Sequence, residues 1–195
     1  RSRGLGDVYK RQGYYVLNSI LVFKKNSERY SYKYIAAVLN STLTDYLYKK
    51  LTQEEGRTFA EVKPANVRKL YIPKATREEQ DLLSILYDYL VFLKNPNQTD
   101  SFVSLNSMFI DLFEKIIDGC VYELLFREHM KEREIDIMSY LYQQIKPIEG
   151  LSDQDKNNII ISVHSNIFMT DNPARARLKL FVSRSPEYLK PIIQH

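Results

Sequence analysis

The pattern of hydrophobic and polar positions divides the chain into a mixed part and a helical part. Aromatic and branched residues dominate residues 14–25 (YYVLNSILVFKK), which predicts a strand or a hairpin, and residues 57–63 predict a short strand. Between them, apolar residues at helical spacing over residues 34–51 predict one amphipathic helix. We therefore expect a small mixed α/β domain in this part of the chain.

Helix-start signals dominate the second part. Thr76 and Glu79 have the spacing of a capping box, which predicts a helix over residues 77–93. One long apolar stripe at helical spacing then covers residues 105–130. Further start signals, which combine a capping side chain with acidic residues or proline, are Ser152, Asn172-Pro173 and Ser185-Pro186-Glu187.

These elements predict an α+β fold class, in which a small mixed α/β domain is followed by an all-helical C-terminal domain. Residues 13–94 form the first domain and residues 102–195 the second, and residues 95–101 (NPNQTDS) have the composition of a linker. The first twelve residues, RSRGLGDVYKRQ, resemble a translated sequencing adapter. We expect them to be a non-native scar, with the true N-terminus missing.

Charge is distributed unevenly along the chain. The formal net charge is +4, but the first twelve residues supply +3 of it, so net charge is no evidence for nucleic-acid binding. Residues 24–74 hold 11 basic and 5 acidic residues, whereas residues 75–160 hold 8 basic and 16 acidic ones. A basic segment can collect phosphate contacts, and an acidic one is repelled by DNA and faces protein or solvent. Ordinary solvated faces of differing charge remain the alternative.

Composition narrows the class of protein. The single cysteine, Cys120, lies in an apolar run, so no disulfide framework or cysteine-based metal site is expected. No apolar stretch is long enough to span a membrane, and we expect a soluble, cytoplasmic protein.

Candidate catalytic residues are few. Asp45 with Glu61 and Lys63 matches the pattern of some metal-dependent nucleases, but this pattern arises by chance in many chains and Asp45 lies on a predicted helix. The histidines lack the spacing of a zinc-binding helix, and surface or helix-end roles are expected for them. The chain also lacks a Gly-rich nucleotide loop and the Asn-Pro-Pro-aromatic segment of adenine-N6 methyltransferases. We therefore expect no catalytic centre, metal or cofactor in this chain.

Short phrases in a fixed order resemble one protein family. They are YIAAVLNS at 34–41, TFAEV at 58–62, LYIP at 70–73 and EEQ at 78–80. In this order they resemble the TaqI-like C-terminal specificity domain of type II restriction-modification enzymes, including type IIG. The phrase IDGCVYEL at 117–124 is similar to the helical tail of related enzymes, and RSPE at 184–187 fits the same tail. The sequence departs from the family at Tyr71, where proline is frequent.

The resemblance implies that the chain is a fragment that recognises a DNA target and has no enzymatic activity of its own. The missing upstream part is then expected to be an adenine-N6 DNA methyltransferase that uses S-adenosylmethionine, with or without an endonuclease domain. The expected partners are double-stranded DNA and that upstream domain. An alternative is a protein-interaction scaffold, in which the acidic helices of residues 77–160 dock on a methyltransferase or another subunit.

The family's base-contacting residues vary with the DNA site, so candidates come from charge and position alone. Basic residues at predicted helix ends and in loops can meet backbone phosphates, and Arg57 or Arg68 can also pair with guanine edges. The candidate DNA-binding residues are Lys49, Lys50, Arg57, Lys63, Arg68 and Lys69.

Overall fold

The computed structural model describes residue 24 and residues 27–52, 63–95 and 103–194, of which 103–105 are described by their backbone alone. Every regular element in these ranges is a helix. The helices are α1 (Tyr32–Leu39), α2 (Thr42–Thr52), α3 (Pro64–Val67), α4 (Arg77–Leu93), α5 (Val103–Leu125), α6 (Arg127–Glu132), α7 (Met138–Leu141), α8 (Asp153–Phe168), α9 (Pro173–Arg184) and α10 (Lys190–Ile193).

The predicted α+β fold class is wrong, because the described residues form helices and contain no strand or sheet. The predicted strands at 14–25 and 57–63 lie outside the described residues except for Lys24 and Lys63, neither of which is in a strand. Residues 71–76 have no regular secondary structure, and side chains bind two of their carbonyl groups: the Tyr34 hydroxyl donates to the Pro73 carbonyl at 2.7 Å, and the Gln80 amide donates to the Ala75 carbonyl at 3.3 Å. A side chain of α1 thus satisfies the Pro73 carbonyl, which needs no neighbouring strand.

The helix predicted over residues 34–51 is two helices, α1 and α2, separated at Asn40 and Ser41. The Ser41 hydroxyl donates to the Val38 carbonyl at 2.7 Å, so a side chain takes an acceptor that a continuous helix would use. The break interrupts the apolar stripe. Leu47 and Leu51, which belong to the apolar positions at helical spacing over residues 34–51, are 39% and 41% exposed.

Three of the four local helix-start signals are confirmed, and the fourth, Ser185-Pro186-Glu187, is wrong, because Ser185 ends α9 and the last helix, α10, starts only at Lys190. At the start of α4, the Thr76 hydroxyl accepts from the Glu79 amide at 3.3 Å and the Glu79 carboxylate accepts from the Thr76 amide at 2.7 Å. Ser152 caps α8, and Asn172 with Pro173 starts α9. The apolar stripe over residues 105–130 is divided between two helices, because α5 stops at Leu125 and a separate helix, α6, follows.

The EEQ phrase has a structural role. The Gln80 side chain accepts from the Ser31 amide at 3.1 Å and donates to the Arg29 carbonyl at 3.2 Å, which ties α4 to the residues before α1. Glu79, buried at 4% exposure, lies 2.7 Å from the Arg127 guanidinium on α6. A buried carboxylate is tolerated when it is paired and hydrogen-bonded in this way.

One hydrophobic core joins helices from both sides of the predicted linker. Tyr34, Leu83, Phe113, Ile137 and Leu189 all belong to it and are fully buried. Helix α4 packs against both α1 and α5, and α10 packs against α2. The two-domain division at residues 95–101 stays a prediction, but the described helices on either side of it share their core.

Candidate nucleic-acid interface

Five of the six candidate DNA-binding residues lie on or beside two short helices that contact each other, α2 and α3. Arg57 lies outside the described residues. Lys49 and Lys50 occupy the last turn of α2, Lys63 precedes α3, and Arg68 and Lys69 follow it.

Tyr48 joins the two helices. Its hydroxyl accepts a hydrogen bond from the Lys63 backbone amide at 3.0 Å, which brings the start of α3 against the last turns of α2. Lys63 is extended, the backbone shape favoured before a proline, and Pro64 then opens the helix. Val67 is buried, and α3 packs against α2. The structure therefore brings the candidate cations of α2 and α3 onto adjoining elements.

The candidate cations differ in their partners. Lys49 Nζ lies 2.8 Å from the Asp45 carboxylate one turn earlier, and Lys50 Nζ lies 5.6 Å from the centre of the Tyr46 ring. Within the described ranges, the side chains of Lys63, Arg68 and Lys69 are exposed and have no ion-pair partner. An exposed ion pair contributes only about 0–1 kcal/mol, so Lys49 can exchange its partner for a phosphate at little cost.

Tyr71 is a feature of this surface that the sequence analysis did not single out. It is 57% exposed, although its neighbours Leu70 and Ile72 are half-buried. It lies two residues after Lys69, in the irregular segment whose Pro73 carbonyl accepts from the Tyr34 hydroxyl. Exposed aromatic rings beside cations occur on surfaces that bind single-stranded nucleic acid. The available signal in the sequence was the departure from the family at Tyr71, which was noted without a role.

The nuclease-like residues form no catalytic cluster in the part of the chain that is described. The Asp45 carboxylate pairs with Lys49, and Glu61 lies outside the described residues. Across the described residues, no group of three or more histidine, cysteine, aspartate or glutamate side chains could hold a metal ion. The structure therefore adds no support to the nuclease alternative.

The cysteine and the histidines have structural surroundings. Cys120 is fully buried, and burial raises its thiol pKa far above the ordinary value, which makes it a poor nucleophile. His164, for which a surface role was expected, is buried at 8% exposure against Phe109, with ring centres 4.3 Å apart, and burial lowers its pKa. His129 Nε2 lies 2.8 Å from the Ser185 hydroxyl, in the RSPE phrase.

The described part of the protein is helical and presents exposed cations on α2 and beside α3. None of its described helices is both long and apolar enough to cross a membrane. Residues 4–72 match the family model of the TaqI-like C-terminal specificity domain, which confirms the family resemblance found in the phrases of that segment. The phrases EEQ, IDGCVYEL and RSPE lie outside the match, and their resemblance stays a prediction. The match begins inside the twelve residues set aside as a scar. No curated protein and no solved structure matches the chain.

The matched segment contains α1, α2 and α3, and with them all six candidate cations. The matched family is a specificity domain of restriction-modification enzymes and is not catalytic, which agrees with the expectation that this chain is not itself an enzyme. A role in DNA sequence specificity is the function that the match indicates.

Proposed function

We propose that this chain recognises the double-stranded DNA target of a restriction-modification enzyme whose upstream part is an adenine-N6 DNA methyltransferase. That upstream domain would bind S-adenosylmethionine and carry out the chemistry in the cytoplasm. The observation that supports this most is the specificity-domain match over residues 4–72, because the exposed cations beside α2 and α3 lie inside it.

The chemistry of each exposed cation indicates which group of DNA it would bind. Lys63 and Lys69 are point charges suited to backbone phosphates, and each phosphate contact releases counterions from DNA. Arg68 presents a planar fork of donors, which can bind either a phosphate or the O6 and N7 edge of a guanine. The acidic surplus of residues 75–160 opposes DNA binding by the helices of this segment. These helices would instead contact the upstream methyltransferase domain.

The experiment measures the affinity of the whole chain for double-stranded DNA over a series of salt concentrations. The test variant is Lys63→Ala/Arg68→Ala/Lys69→Ala. We expect its affinity to fall and the slope of log K against log salt to become shallower by about 0.9 for each phosphate that the variant no longer binds. Fluorescence anisotropy with a labelled duplex gives both quantities.

A matched control removes the same charge elsewhere. Lys115, Lys131 and Lys179 are exposed lysines on α5, α6 and α9, and their joint replacement by alanine should leave the salt slope unchanged. An equal loss in both triple variants would mean that only net charge matters and would contradict the proposed surface. Should the chain ignore DNA but bind a purified methyltransferase domain, the scaffold interpretation replaces this one.

A further inference from the structure

Helix α2, which carries two of the candidate cations, is held at its start by a residue far along the chain. Thr42 is the first residue of α2, and its backbone amide donates to Asp118 Oδ1 on α5 at 2.7 Å. Its hydroxyl donates to Asp118 Oδ2 at 2.5 Å. One carboxylate therefore binds the first residue of α2 through two atoms, across 76 positions of sequence.

This contact satisfies a need that α2 cannot meet alone. The first four amides of a helix have no partner within the helix, and here Ser41 Oγ accepts only from Thr44, at 3.3 Å. A carboxylate at a helix start also interacts favourably with the helix dipole. Burial raises the pKa of Asp118, and the two bonds from Thr42 act in the opposite direction. The charge is thus held in a partly buried place by its bonds to α2.

Helix α2 also contacts α3, the other element of the described ranges that has candidate cations beside it. Its last turn holds Lys49 and Lys50, Tyr48 joins it to Lys63, and it packs against α3, α5 and α10. A shift of the start of α2 would therefore move the cations on both helices.

We propose that Asp118 is a positioning residue of the DNA-binding surface, which fixes α2 against α5 so that the cations of α2 and α3 keep their arrangement. This inference rests on the proposed function, because it assumes that those cations bind DNA. Asp118 itself does not touch DNA in this proposal.

The test compares Asp118→Ala with Asp118→Asn in the whole chain. We expect Asp118→Ala to weaken duplex binding about fivefold, the factor that corresponds to loss of one helix N-cap, and to make the salt slope shallower. Asparagine can still accept from the Thr42 amide and donate to its hydroxyl, so Asp118→Asn should bind within about twofold of the wild type.

The sign of the effect separates positioning from simple electrostatics. Removing a negative charge near a DNA-binding surface strengthens binding if charge alone acts, whereas loss of positioning weakens it. Asp111→Ala is the matched control, because Asp111 is an exposed aspartate on the same helix, two turns before Asp118. Its affinity should equal that of the wild type or exceed it slightly.

Folding is checked by circular dichroism and thermal unfolding of each variant. If Asp118→Ala fails to fold, Thr42→Val takes its place, since it removes the hydroxyl bond and keeps the backbone one. A folded Asp118→Ala, or in its place Thr42→Val, that binds DNA as the wild type does overturns the positioning role. If the triple cation variant still loses binding in that case, the proposed function stands without it.

Discussion

At the scale of single residues, a buried carboxylate of this chain holds the backbone of a neighbouring segment. Glu123 is 6% exposed, and its Oε2 accepts from the amides of Ile137 at 2.6 Å and Met138 at 2.9 Å. It thereby fixes the start of α7 against α5. Asp118 and Glu123 both belong to the phrase IDGCVYEL, and each accepts hydrogen bonds that hold another segment against α5.

Replacing Glu123 by alanine should destabilise the fold strongly. Two buried amides would lose their acceptor, at about 1–3 kcal/mol each in free energy of unfolding. Glu123→Gln keeps a carbonyl oxygen that can accept from both Ile137 and Met138, so most of the stability should remain. Urea denaturation measures the difference. The control is Glu128→Ala, an exposed glutamate five positions later; a Glu123→Ala loss no larger than that of the control would contradict the role.

At the scale of elements, hydrogen bonds of the Ser41 side chain separate α1 from α2. Ser41 is 2% exposed, donates to the Val38 carbonyl and accepts from the Thr44 amide. Both bonds favour a helix start at Thr42 over a continuous helix.

Ser41→Ala should lower the free energy of unfolding by about 1 kcal/mol, the usual cost of losing a helix N-cap. The helical signal in far-ultraviolet circular dichroism should stay the same, because Asp118 still holds Thr42 and keeps the two helices apart. Ser183→Ala is the control, since Ser183 is exposed and its hydroxyl donates only within α9. A gain in helical signal would show that Asp118 alone does not keep the two helices apart, and a stability loss no larger than that of the control would show that the Ser41 hydrogen bonds do not stabilise the start of α2.

The elements that the sequence predicted best are those whose signals are local. Thr76 with Glu79, Ser152 and Asn172 cap their helices with their own side chains, and each start was found from a capping residue and its near neighbours in sequence. The breaks after α1 and α5 were missed, since apolar spacing continues through them. The α+β fold class failed because every regular element of the described residues is a helix, and the propensity of branched and aromatic residues for strands, on which the prediction rested, depends strongly on context.

The candidate surface was predictable only in part. The charge surplus around Lys63 and Arg68 is visible in the sequence, and so is the family resemblance of the segment that contains them. The hydrogen bonds that arrange this surface were not, because the bond from Thr42 to Asp118 and the one from Lys63 to Tyr48 connect residues with no shared local pattern.

At the scale of the whole molecule, long-range packing makes the matched segment depend on the helical part. Helix α10 packs against α2, and α4 packs against both α1 and α5. The core therefore includes residues from α1 to α10. Buried carboxyl groups lie within this shared structure, so its stability should respond to pH.

The carboxyl groups of Asp88, Asp118 and Glu123 all have a pKa raised by burial, with nearby hydrogen bonds acting in the opposite direction. A raised pKa in the folded state means that the folded chain holds more protons than the unfolded one between the two values. Each of these carboxyl groups therefore stabilises the fold fully when the pH is below its ordinary pKa, which is 3.8 for aspartate and 4.5 for glutamate. This stabilisation is lost as the pH rises through the raised pKa of the folded state. His164 acts in the opposite sense, because its pKa is lowered and its contribution is lost as pH falls.

A comparison of the wild type with Asp118→Asn/Glu123→Gln isolates the carboxyl contribution, since His164 is common to both proteins. We expect the unfolding free energy of the wild type, minus that of the variant, to be larger at about pH 5 than at about pH 7.5, because the amides cannot be protonated in this range. Urea denaturation at the two pH values gives this difference. Asp111→Asn, at an exposed aspartate of α5, should show a difference that does not change with pH. If the double variant behaves like Asp111→Asn, or if its difference grows toward high pH, the buried carboxyl groups do not set the pH dependence of the fold.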